Sequence, residues 1–275
     1  MKKALLVGIN KYKIPGCDLN GCVNDVTNLR DILLKYFGFE VSDIRVLTDE
    51  RATKKSILDG LSYLTKSAKK DDILVFQFSG HGSQIVDKNG DELKDNLDEI
   101  LCPYDMDWEG TYIVDDELNN LFGSVDNQVN VEIILDSCHS GTGTRELAGL
   151  KLLPKEETFL VKYLYPPTDI ECRMDYDMPR GSFFSRVKEK IGTNFALFTA
   201  CKDNQVAADS YIDGSYNGVF SYYLCKYLRE NSGNITRSEL LKRVRYSLKY
   251  HGFAQTPQLE CSAAKKKEAR TERAS

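Results

Sequence analysis

The fold is decided by one apolar run that ends in a polar, glycine-flanked turn: Asp72-Ile73-Leu74-Val75-Phe76-Gln77-Phe78-Ser79-Gly80-His81-Gly82-Ser83. A second run has the same form and reads Val131-Glu132-Ile133-Ile134-Leu135-Asp136-Ser137-Cys138-His139-Ser140-Gly141. Short apolar runs with such boundaries indicate buried strands. Two strands of this kind bring His81 and Cys138 to one edge of a sheet, where open α/β sheets place their functional sites.

Around these two runs, strand-like segments alternate with segments of helical periodicity. Strands are predicted at residues 3–9, 44–48, 72–78, 130–135, 194–200 and near 257–259. Helices are predicted at residues 22–37, 53–67, 115–122, about 217–230 and 236–250, and the polar stretch 84–114 is expected to contain a hairpin. This alternation predicts a mostly parallel central sheet with helices on both faces.

Composition narrows the class of protein. The chain has 275 residues, of which 41% are hydrophobic and 28% charged, as is ordinary for a soluble globular protein. A net charge of −4 disfavours a nucleic-acid binder, which usually presents a basic face. No segment approaches the length of a membrane span, and the first apolar run stops at Asn10 without a signal-peptide cleavage site. We therefore expect no nucleic-acid or membrane partner, and we also expect a monomer.

The cysteines indicate the redox environment. The eight cysteines form no C-x-x-C pair, so a zinc site is disfavoured. Several stand in apolar contexts, such as Cys102 and Cys225, where buried reduced thiols are the usual state. Without an export signal, this pattern predicts a reducing, cytoplasmic location.

His81 and Cys138 form a candidate base and nucleophile. Free cysteine is mostly thiol at neutral pH, and only the thiolate attacks well. The imidazole of His81 can take the thiol proton and return it to a leaving amine. The backbone N–H groups of Gly82 and Cys138 lie in the turns that present the two side chains, so they are candidates for binding an oxyanion. The pattern predicts acyl chemistry at a cysteine.

Each of these residues also has a purely structural interpretation. His81 could be a turn histidine bonded to backbone, and Cys138 could be a buried, inert thiol. His139 adjoins the nucleophile, but adjacent side chains at a strand end point to opposite faces. We therefore assign the base to His81 and not to His139.

The two turns resemble the signature motifs of metacaspases, the caspase-fold cysteine peptidases of bacteria, protists, fungi and plants. Further matches are Gly21-Cys22-Val23-Asn24-Asp25, Ile113-Val114-Asp115-Asp116-Glu117 and Gln255-Thr256-Pro257-Gln258-Leu259. The resemblance implies a caspase-like three-layer fold over residues 1–262. Its expected parts are a large-subunit-like part to about residue 145, an irregular linker over 142–193 and a small-subunit-like part over 194–262.

The resemblance also bears on the two ends of the chain. The first strand begins almost at Met1, so we expect a prokaryotic-type form without an N-terminal prodomain. The basic residues 263–275 are expected to be a disordered tail.

The resemblance further implies cleavage of proteins or peptides after Arg or Lys. The positions that match the family's specificity pocket are Cys22, Asp25, Ser79 and Asp136. Asp136 lies two residues before Cys138, so strand alternation puts both on the same side. Two carboxylates in a partly desolvated slot favour a guanidinium or ammonium group. Simpler roles stay open: Asp25 as an acid at a helix N-terminus, and Asp136 as a turn residue.

Calcium is the implied cofactor. The aspartates that match the family's calcium ligands are Asp98, Asp115 and Asp116, and hard cations prefer oxygen ligands. Arg145, beside Glu146, stands where the family has a further acidic ligand. The alternative is a solvated acidic loop in which Asp115 or Asp116 caps a short helix.

The linker suggests self-processing, because it carries many candidate sites for an enzyme that cleaves after basic residues. They are Arg145, Lys151, Lys155, Lys162, Arg173, Arg180, Arg186, Lys188 and Lys190. Two other function classes stay open. One is a non-catalytic caspase-like interaction module or scaffold, and the other is an acyl-transfer enzyme, such as a ligase, that uses the same site.

Overall fold

The computed structural model describes residues 1–86, 97–139, 159–172 and 194–269. Its strands are β1 (Lys2–Gly8), β2 (Ile44–Thr48), β3 (Ile73–Ser79), β4 (Gly82–Val86), β5 (Leu97–Leu101), β6 (Ile113–Val114), β7 (Asn130–Asp136), β8 (Leu160–Val161), β9 (Phe195–Thr199), β10 (Ala208–Ile212), β11 (Ser215–Gly218) and β12 (Gln258–Cys261). Its helices are α1 (Cys22–Tyr36), α2 (Lys54–Thr65), α3 (Asp115–Gly123), α4 (Thr168–Glu171), α5 (Val219–Glu230), α6 (Arg237–Tyr250) and α7 (Ala263–Lys267). Two short 3₁₀ turns lie at Val41–Asp43 and Asp49–Arg51.

The central sheet has six strands in the order β12-β9-β7-β3-β1-β2. All neighbours are parallel except β12 and β9. The register pairs Gly8 with Ser79 and Ser79 with Asp136, so β1, β3 and β7 end side by side. The predicted mostly parallel sheet is confirmed. Its aligned carboxyl ends give the two predicted catalytic turns a common edge.

Helices cover both faces of the sheet because the strand side chains alternate between two cores. Leu5 and Val7 pack in the same core as the apolar residues of α2 and α3. Ala4 and Leu6 pack in the other core, with the apolar residues of α1, α5 and α6. Strands buried on both faces explain the continuous apolar runs in the sequence. The predicted three-layer α/β arrangement is confirmed.

The predicted helix starts depend on identifiable caps. The hydroxyl of Thr53 accepts a hydrogen bond from the backbone N–H of Ser56 at 3.2 Å, as expected for the N-cap of α2. The N-terminus of α1 is capped from outside the helix, because the Asn10 side-chain oxygen accepts from the backbone N–H of Cys22 at 2.7 Å. Asn10 therefore joins the end of β1 to the start of α1.

Two small antiparallel sheets accompany the central one. The first has the order β4-β5-β6 and contains the hairpin expected within residues 84–114. The second has the order β11-β10-β8 and was not predicted. Its strand β8 has only two residues, so it leaves no recognisable period in the sequence.

The expectation of a disordered tail from Ala263 is wrong for residues 263–269. Ser262 caps α7 by accepting from the backbone N–H of Lys265 at 3.2 Å. The Lys265 side chain is buried, and its ammonium group donates to the carbonyl of Asn194. Burial of its aliphatic stem anchors the segment.

Residues 270–275 and most of the linker 142–193 lie outside the described residues. Among the helices of the described ranges, none is long and apolar enough to cross a bilayer.

Candidate active site

The turns that carry His81 and Cys138 meet at the aligned ends of β3 and β7. The backbone N–H of Gly80 donates to the carbonyl of Asp136 at 3.3 Å, which ties the turns together. A Cβ atom on Gly82 would lie 2.1 Å from the Cys138 carbonyl oxygen. Only glycine fits there. The predicted juxtaposition of the two motifs is therefore present, and its close approach requires Gly82.

His81 is held in one tautomer. Its Nε2 lies 2.8 Å from the carbonyl oxygen of Cys17, and a carbonyl can only accept, so Nε2 carries the proton. Its Nδ1 is buried and has no hydrogen-bond partner among the described residues. Burial lowers the pKa of His81 to about 4, which keeps the ring neutral at physiological pH. His81 thus presents the free lone pair that a proton acceptor needs.

The predicted pocket residues surround a basic side chain. The Nζ of Lys162 lies 2.9 Å from Ser79 Oγ, 3.1 Å from Asp25 Oδ2 and 3.2 Å from Asp136 Oδ1. Lys162 and both carboxylates are fully buried. The fourth predicted pocket residue, Cys22, is buried close enough to Lys162 for the ammonium charge to oppose the rise in the pKa of its thiol. The structure brings all four positions around one ammonium group.

The carboxylates have further partners that fix their orientation. Asp25 accepts from the backbone N–H of Gly218 at 2.9 Å and from Ser79 Oγ at 2.6 Å. Asp136 accepts from the backbone N–H of Ser221 at 3.1 Å, in the first turn of α5. A helix N-terminus favours a negative charge. The backbone of the small-subunit-like part therefore completes a pocket whose acids come from the other part.

The charges of the pocket are strongly coupled. Burial raises the pKa of Asp25 to about 7, and the ammonium group of Lys162 opposes that rise. Burial lowers the pKa of Lys162, but the carboxylates of Asp136 and Asp25 outweigh burial and hold it well above its usual value. A buried charge needs such partners. The pocket is therefore built for one cation between two acids.

The backbone of Lys162 occupies the predicted oxyanion site. Its carbonyl oxygen accepts from the N–H groups of Gly82 and Cys138, each at 3.1 Å. Its own N–H donates to the carbonyl of Ala207 at 3.0 Å. Two convergent N–H groups at this distance are the arrangement that polarises a carbonyl for attack.

The two residues of the second motif have different surroundings. Cys138 belongs to the core shared with α1 and α5, and its Sγ accepts from the N–H of Ala207. His139 lies 3.3 Å from Ser137 Oγ through Nε2 and contacts the backbone of Ile100 in β5. Its pKa is lowered to about 4 by burial. Cys138 and His139 therefore contact different elements, as strand alternation predicts.

Comparison with known proteins places the chain in a family. Residues 2–145 match the family model described as metacaspase, peptidase C14 domain. Metacaspase-1B of Neosartorya fischeri is 32% identical, over 95% of this chain and 69% of the relative. Metacaspase-1 of Schizosaccharomyces pombe is 30% identical, over 95% of this chain and 67% of the relative. The chain belongs to the metacaspase family. The resemblance expected from the motifs is confirmed.

Solved structures support the fold of this metacaspase. Protein GSU0716 from Geobacter sulfurreducens has a TM-score of 0.68 at 23% identity, covering 98% of both chains. Caspase-1 from Spodoptera frugiperda has a TM-score of 0.57 at 14% identity, covering 94% of this chain and 86% of its own. The caspase-like fold is confirmed. Family membership makes the protein a cysteine-type peptidase.

The predicted calcium ligands lie near one another in the metacaspase but do not form a three-ligand site. Asp115 is buried, and its pKa is raised to about 7 by burial and by the nearby carboxylates of Asp98 and Asp116. Within the ranges that the structure describes, no three His, Cys, Asp or Glu side chains converge to hold a metal ion. Arg145 and Glu146 lie outside these ranges. We therefore assign no catalytic step to calcium.

Some residues of the metacaspase that connect the elements around the candidate site were not found from sequence. Asp209 accepts from the backbone N–H of Gly21 at 2.9 Å and so holds the segment before α1. Gln255 accepts from Ala208 at 3.0 Å and donates to Ala200 at 3.2 Å, which joins β10 to the end of β9. Gln255 belongs to a recognised motif, which was the available signal. No local sequence pattern identified Asp209, and none distinguished Lys162 from the other basic residues of the linker.

Proposed function

We propose that this metacaspase is an endopeptidase that hydrolyses peptide bonds after Arg or Lys, with Cys138 as nucleophile and His81 as proton carrier. The observation that carries the proposal is the placement of one basic residue. The Lys162 ammonium group lies between Asp25 and Asp136 while its carbonyl oxygen accepts from Gly82 and Cys138. A substrate residue before the cleaved bond needs both sets of contacts.

The mechanism follows from the free atoms of the site. His81 Nδ1 takes the proton of the Cys138 thiol, and Sγ attacks the substrate carbonyl carbon. The two N–H groups stabilise the oxyanion, and the C–N bond then breaks as His81 returns the proton to the leaving amine. Water, activated by His81, hydrolyses the thioester and releases the acid product and the thiol.

Specificity follows from charge. A substrate Arg or Lys places one cation between Asp25 and Asp136, as the Lys162 ammonium group does. A substrate aspartate would add a third carboxylate to a site with little water, where like charges repel strongly. The proposal therefore includes strong discrimination against aspartate, the residue after which caspases cut.

The test is turnover of matched fluorogenic peptides that end in Arg, Lys or Asp, with Cys138→Ala as the blank. We expect cleavage of the Arg and Lys peptides only. Efficient cleavage after aspartate would contradict the pocket assignment. Absence of turnover, together with no labelling of Cys138 by an arginyl electrophile, would favour the scaffold alternative. An added amine acceptor that appears in the product would favour the ligase alternative.

We also propose that calcium activates the enzyme near Asp98, Asp115 and Asp116. The supporting observation is the raised pKa of Asp115, because a bound cation would offset the repulsion between these carboxylates. The role of such an ion would be to order the acidic hairpin, which begins directly after the His81 turn. Calorimetric titration with calcium tests this, and no binding by the folded enzyme would remove calcium from the proposal.

We further propose that the enzyme is a cytoplasmic monomer. All eight cysteines are free thiols, which suits a reducing compartment. Size-exclusion chromatography with light scattering tests the monomer, and a stable dimer at micromolar concentration would overturn it. Localisation of a tagged chain tests the compartment.

A further inference from the structure

A cavity lies at the edge of the central sheet opposite the turns that carry His81 and Cys138. Its volume is about 510 Å³, which is in the range of small-molecule sites in proteins. The amino ends of β1, β3 and β7 line it through Lys2, Ile73 and Glu132, among other residues. The seven-residue strands β3 and β7 each span roughly 23 Å, so the cavity is separate from the active site.

Segments that are distant in sequence form the walls of this cavity. The large-subunit-like part supplies the strand ends and residues 36–39, where α1 ends. The small-subunit-like part supplies Arg237, the first residue of α6. The C-terminal segment that follows supplies Lys265 of α7 and Ala269. A ligand in the cavity would therefore contact all three segments, and a ligand that binds only the folded chain stabilises it.

Lys265 places an unneutralised ammonium group in the cavity. Its side chain is 3% exposed, and one of its three donors goes to the carbonyl of Asn194. Among the residues that the structure describes, no second acceptor and no carboxylate lies within bonding distance of this Nζ. Burial lowers the pKa of Lys265 to about 8, and the Arg237 guanidinium adds to this effect, while Glu268 opposes it only in part. A bound anion would supply the missing charge and acceptors.

The neighbouring guanidinium group of Arg237 already has its partners. Its Nε and Nη2 both lie 3.2 Å from Glu132 Oε2. Its Nη1 donates to the backbone carbonyl of Lys265 at 3.4 Å. Arg237 therefore joins α6 to β7 and to α7, and Lys265 is the group of the cavity with donors left for a ligand.

The rest of the cavity wall includes buried hydrocarbon. Leu33, Phe39, Val75 and Val131 line the cavity, and each is 5% exposed or less. An anion with an apolar body would gain from contact with this wall, whereas a small hydrated ion such as inorganic phosphate would not. An apolar wall with one polar group that fixes orientation is typical of sites for small organic molecules.

We propose that this cavity binds a small organic acid whose carboxylate accepts hydrogen bonds from the Lys265 ammonium group and whose hydrocarbon body packs against the apolar wall. The site does not depend on the proposed function, because none of its residues belongs to the active site. Its occupation fixes α6 and α7 against β7 and the end of α1. The ligand therefore stabilises the folded chain.

The first experiment measures binding by calorimetry and by thermal unfolding. The probe is hydrocinnamate, which joins a phenyl ring to one carboxylate through a short chain. Two control ligands separate the contributions: hydrocinnamamide keeps the shape without the charge, and acetate keeps the charge without the ring. We expect hydrocinnamate to bind roughly tenfold or more tightly than either control. It should raise Tm by roughly 2–5 °C at about ten times its Kd.

Three outcomes of this experiment would overturn the proposal. The first is the absence of both heat and a Tm shift with hydrocinnamate at about 20 mM, a concentration at which even an inefficient ligand of this size should bind. The second is equal affinity for hydrocinnamate and its amide, because the ammonium group would then have no role. The third is tighter binding of acetate or inorganic phosphate, because the apolar wall would then have no role.

The second experiment changes the cation. Lys265→Met removes the charge and keeps most of the apolar stem, so it should weaken hydrocinnamate binding by roughly tenfold or more. Lys265→Arg restores a cation and should bind more tightly than Lys265→Met. The control is Lys267→Met, which removes an exposed lysine of the same helix and should bind like wild type. Unchanged affinity in a folded Lys265→Met chain would overturn the proposal.

A third experiment fills the cavity and leaves the cation in place. Ala269→Trp adds an indole ring to the cavity wall and should abolish hydrocinnamate binding. Ala264→Trp adds the same ring at an exposed position of α7 and should bind like wild type. Circular dichroism and urea unfolding check that each variant is folded. If Lys265→Met does not fold, the two tryptophan variants decide, and equal binding by both of them would overturn the proposal.

Discussion

Two groups of buried aspartates in this metacaspase have different charged neighbours. Asp25 and Asp136 share the ammonium group of Lys162, and backbone N–H groups hold both acids in place. Asp115 lies near other carboxylates, and its pKa rises to about 7. The first group surrounds the positively charged side chain of a residue in the peptide chain. In the second group, neighbouring carboxylates add to the effect of burial on the pKa of Asp115, whereas in the first group the Lys162 ammonium opposes the effect of burial on the pKa of Asp25.

We expect the difference to separate substrate specificity from control of activity. If the pocket binds the charge of a substrate, it must release that charge after each turnover, and its acids are held by backbone N–H groups and by the Ser79 hydroxyl, none of which carries a charge. A cluster that responds to solution conditions needs a protonation equilibrium near the working pH. Changes in the two groups should therefore affect different measurements, kcat/KM for basic substrates in one case and cation or pH response in the other.

The largest effect is expected for the proposed catalytic pair, which lies next to the first group of aspartates. Cys138→Ala and His81→Ala should each lower kcat by several orders of magnitude, roughly as in other nucleophile–base pairs. His139→Ala should be much milder, because the His139 ring contacts Ser137 and the backbone of Ile100 and has no assigned part in proton transfer. Cys172→Ala, at an exposed cysteine, is the control and should retain full activity. Near-normal turnover by Cys138→Ala, measured with an Arg peptide, would contradict the assignment.

The next effect concerns the pocket acids. Asp136→Asn should lower kcat/KM for Arg peptides by about 30-fold or more, because removing one partner of a buried charge pair costs roughly 2–5 kcal/mol. Asp59→Ala removes an exposed acid of α2 and is the control, with no expected change. The measurement is initial-rate kinetics with Arg and Lys peptides. An unchanged kcat/KM for Asp136→Asn would remove the distinction between the two aspartate groups.

Much of this arrangement could be predicted from sequence, for physical reasons. Strands such as that at 130–135 were placed correctly because buried parallel strands leave largely apolar runs. His81 and Cys138 could be paired because each follows such a strand. The occupant of the pocket could not be predicted. Lys162 reaches it through a two-residue strand whose partner, β10, is distant in sequence, and only tertiary contacts fix that pairing.

The helix at the C-terminus was missed for a related reason. A run of lysines favours a solvated tail, but Lys265 is buried and donates to the carbonyl of Asn194. Composition cannot show which lysine of a basic run becomes buried and donates a hydrogen bond to a buried carbonyl. Local pattern thus predicts elements and motif residues, whereas isolated side chains that join distant elements need the structure.

A smaller effect is expected at the acidic group. The double variant Asp115→Ala/Asp116→Ala should lower calcium stimulation of peptidase activity by about tenfold, within the usual range for coupling between sites. Asp31→Ala/Asp59→Ala, which removes two exposed acids of α1 and α2, should respond to calcium like wild type. Activity is measured with excess calcium and with excess chelator. Equal wild-type activity under both conditions would show that calcium has no role.

The last effect concerns stability instead of activity. The folded-state pKa of Asp115, about 7, lies above the ordinary value of 3.8. The folded chain therefore holds this proton more tightly, and its stability falls as pH rises from about 4 to 7. Asn cannot ionise, so Asp115→Asn should gain stability relative to wild type over that window, by up to about 1.4 kcal/mol for each pH unit.

Urea unfolding at several pH values without calcium measures this difference in stability. The difference should grow toward pH 7 and stay constant above it, because the carboxyl is then ionised in both the folded and the unfolded state. Calcium should shrink the difference if it binds here, since a cation favours the ionised carboxylate. Parallel stability curves from pH 4 to 7 would show that Asp115 titrates normally and would contradict its raised pKa.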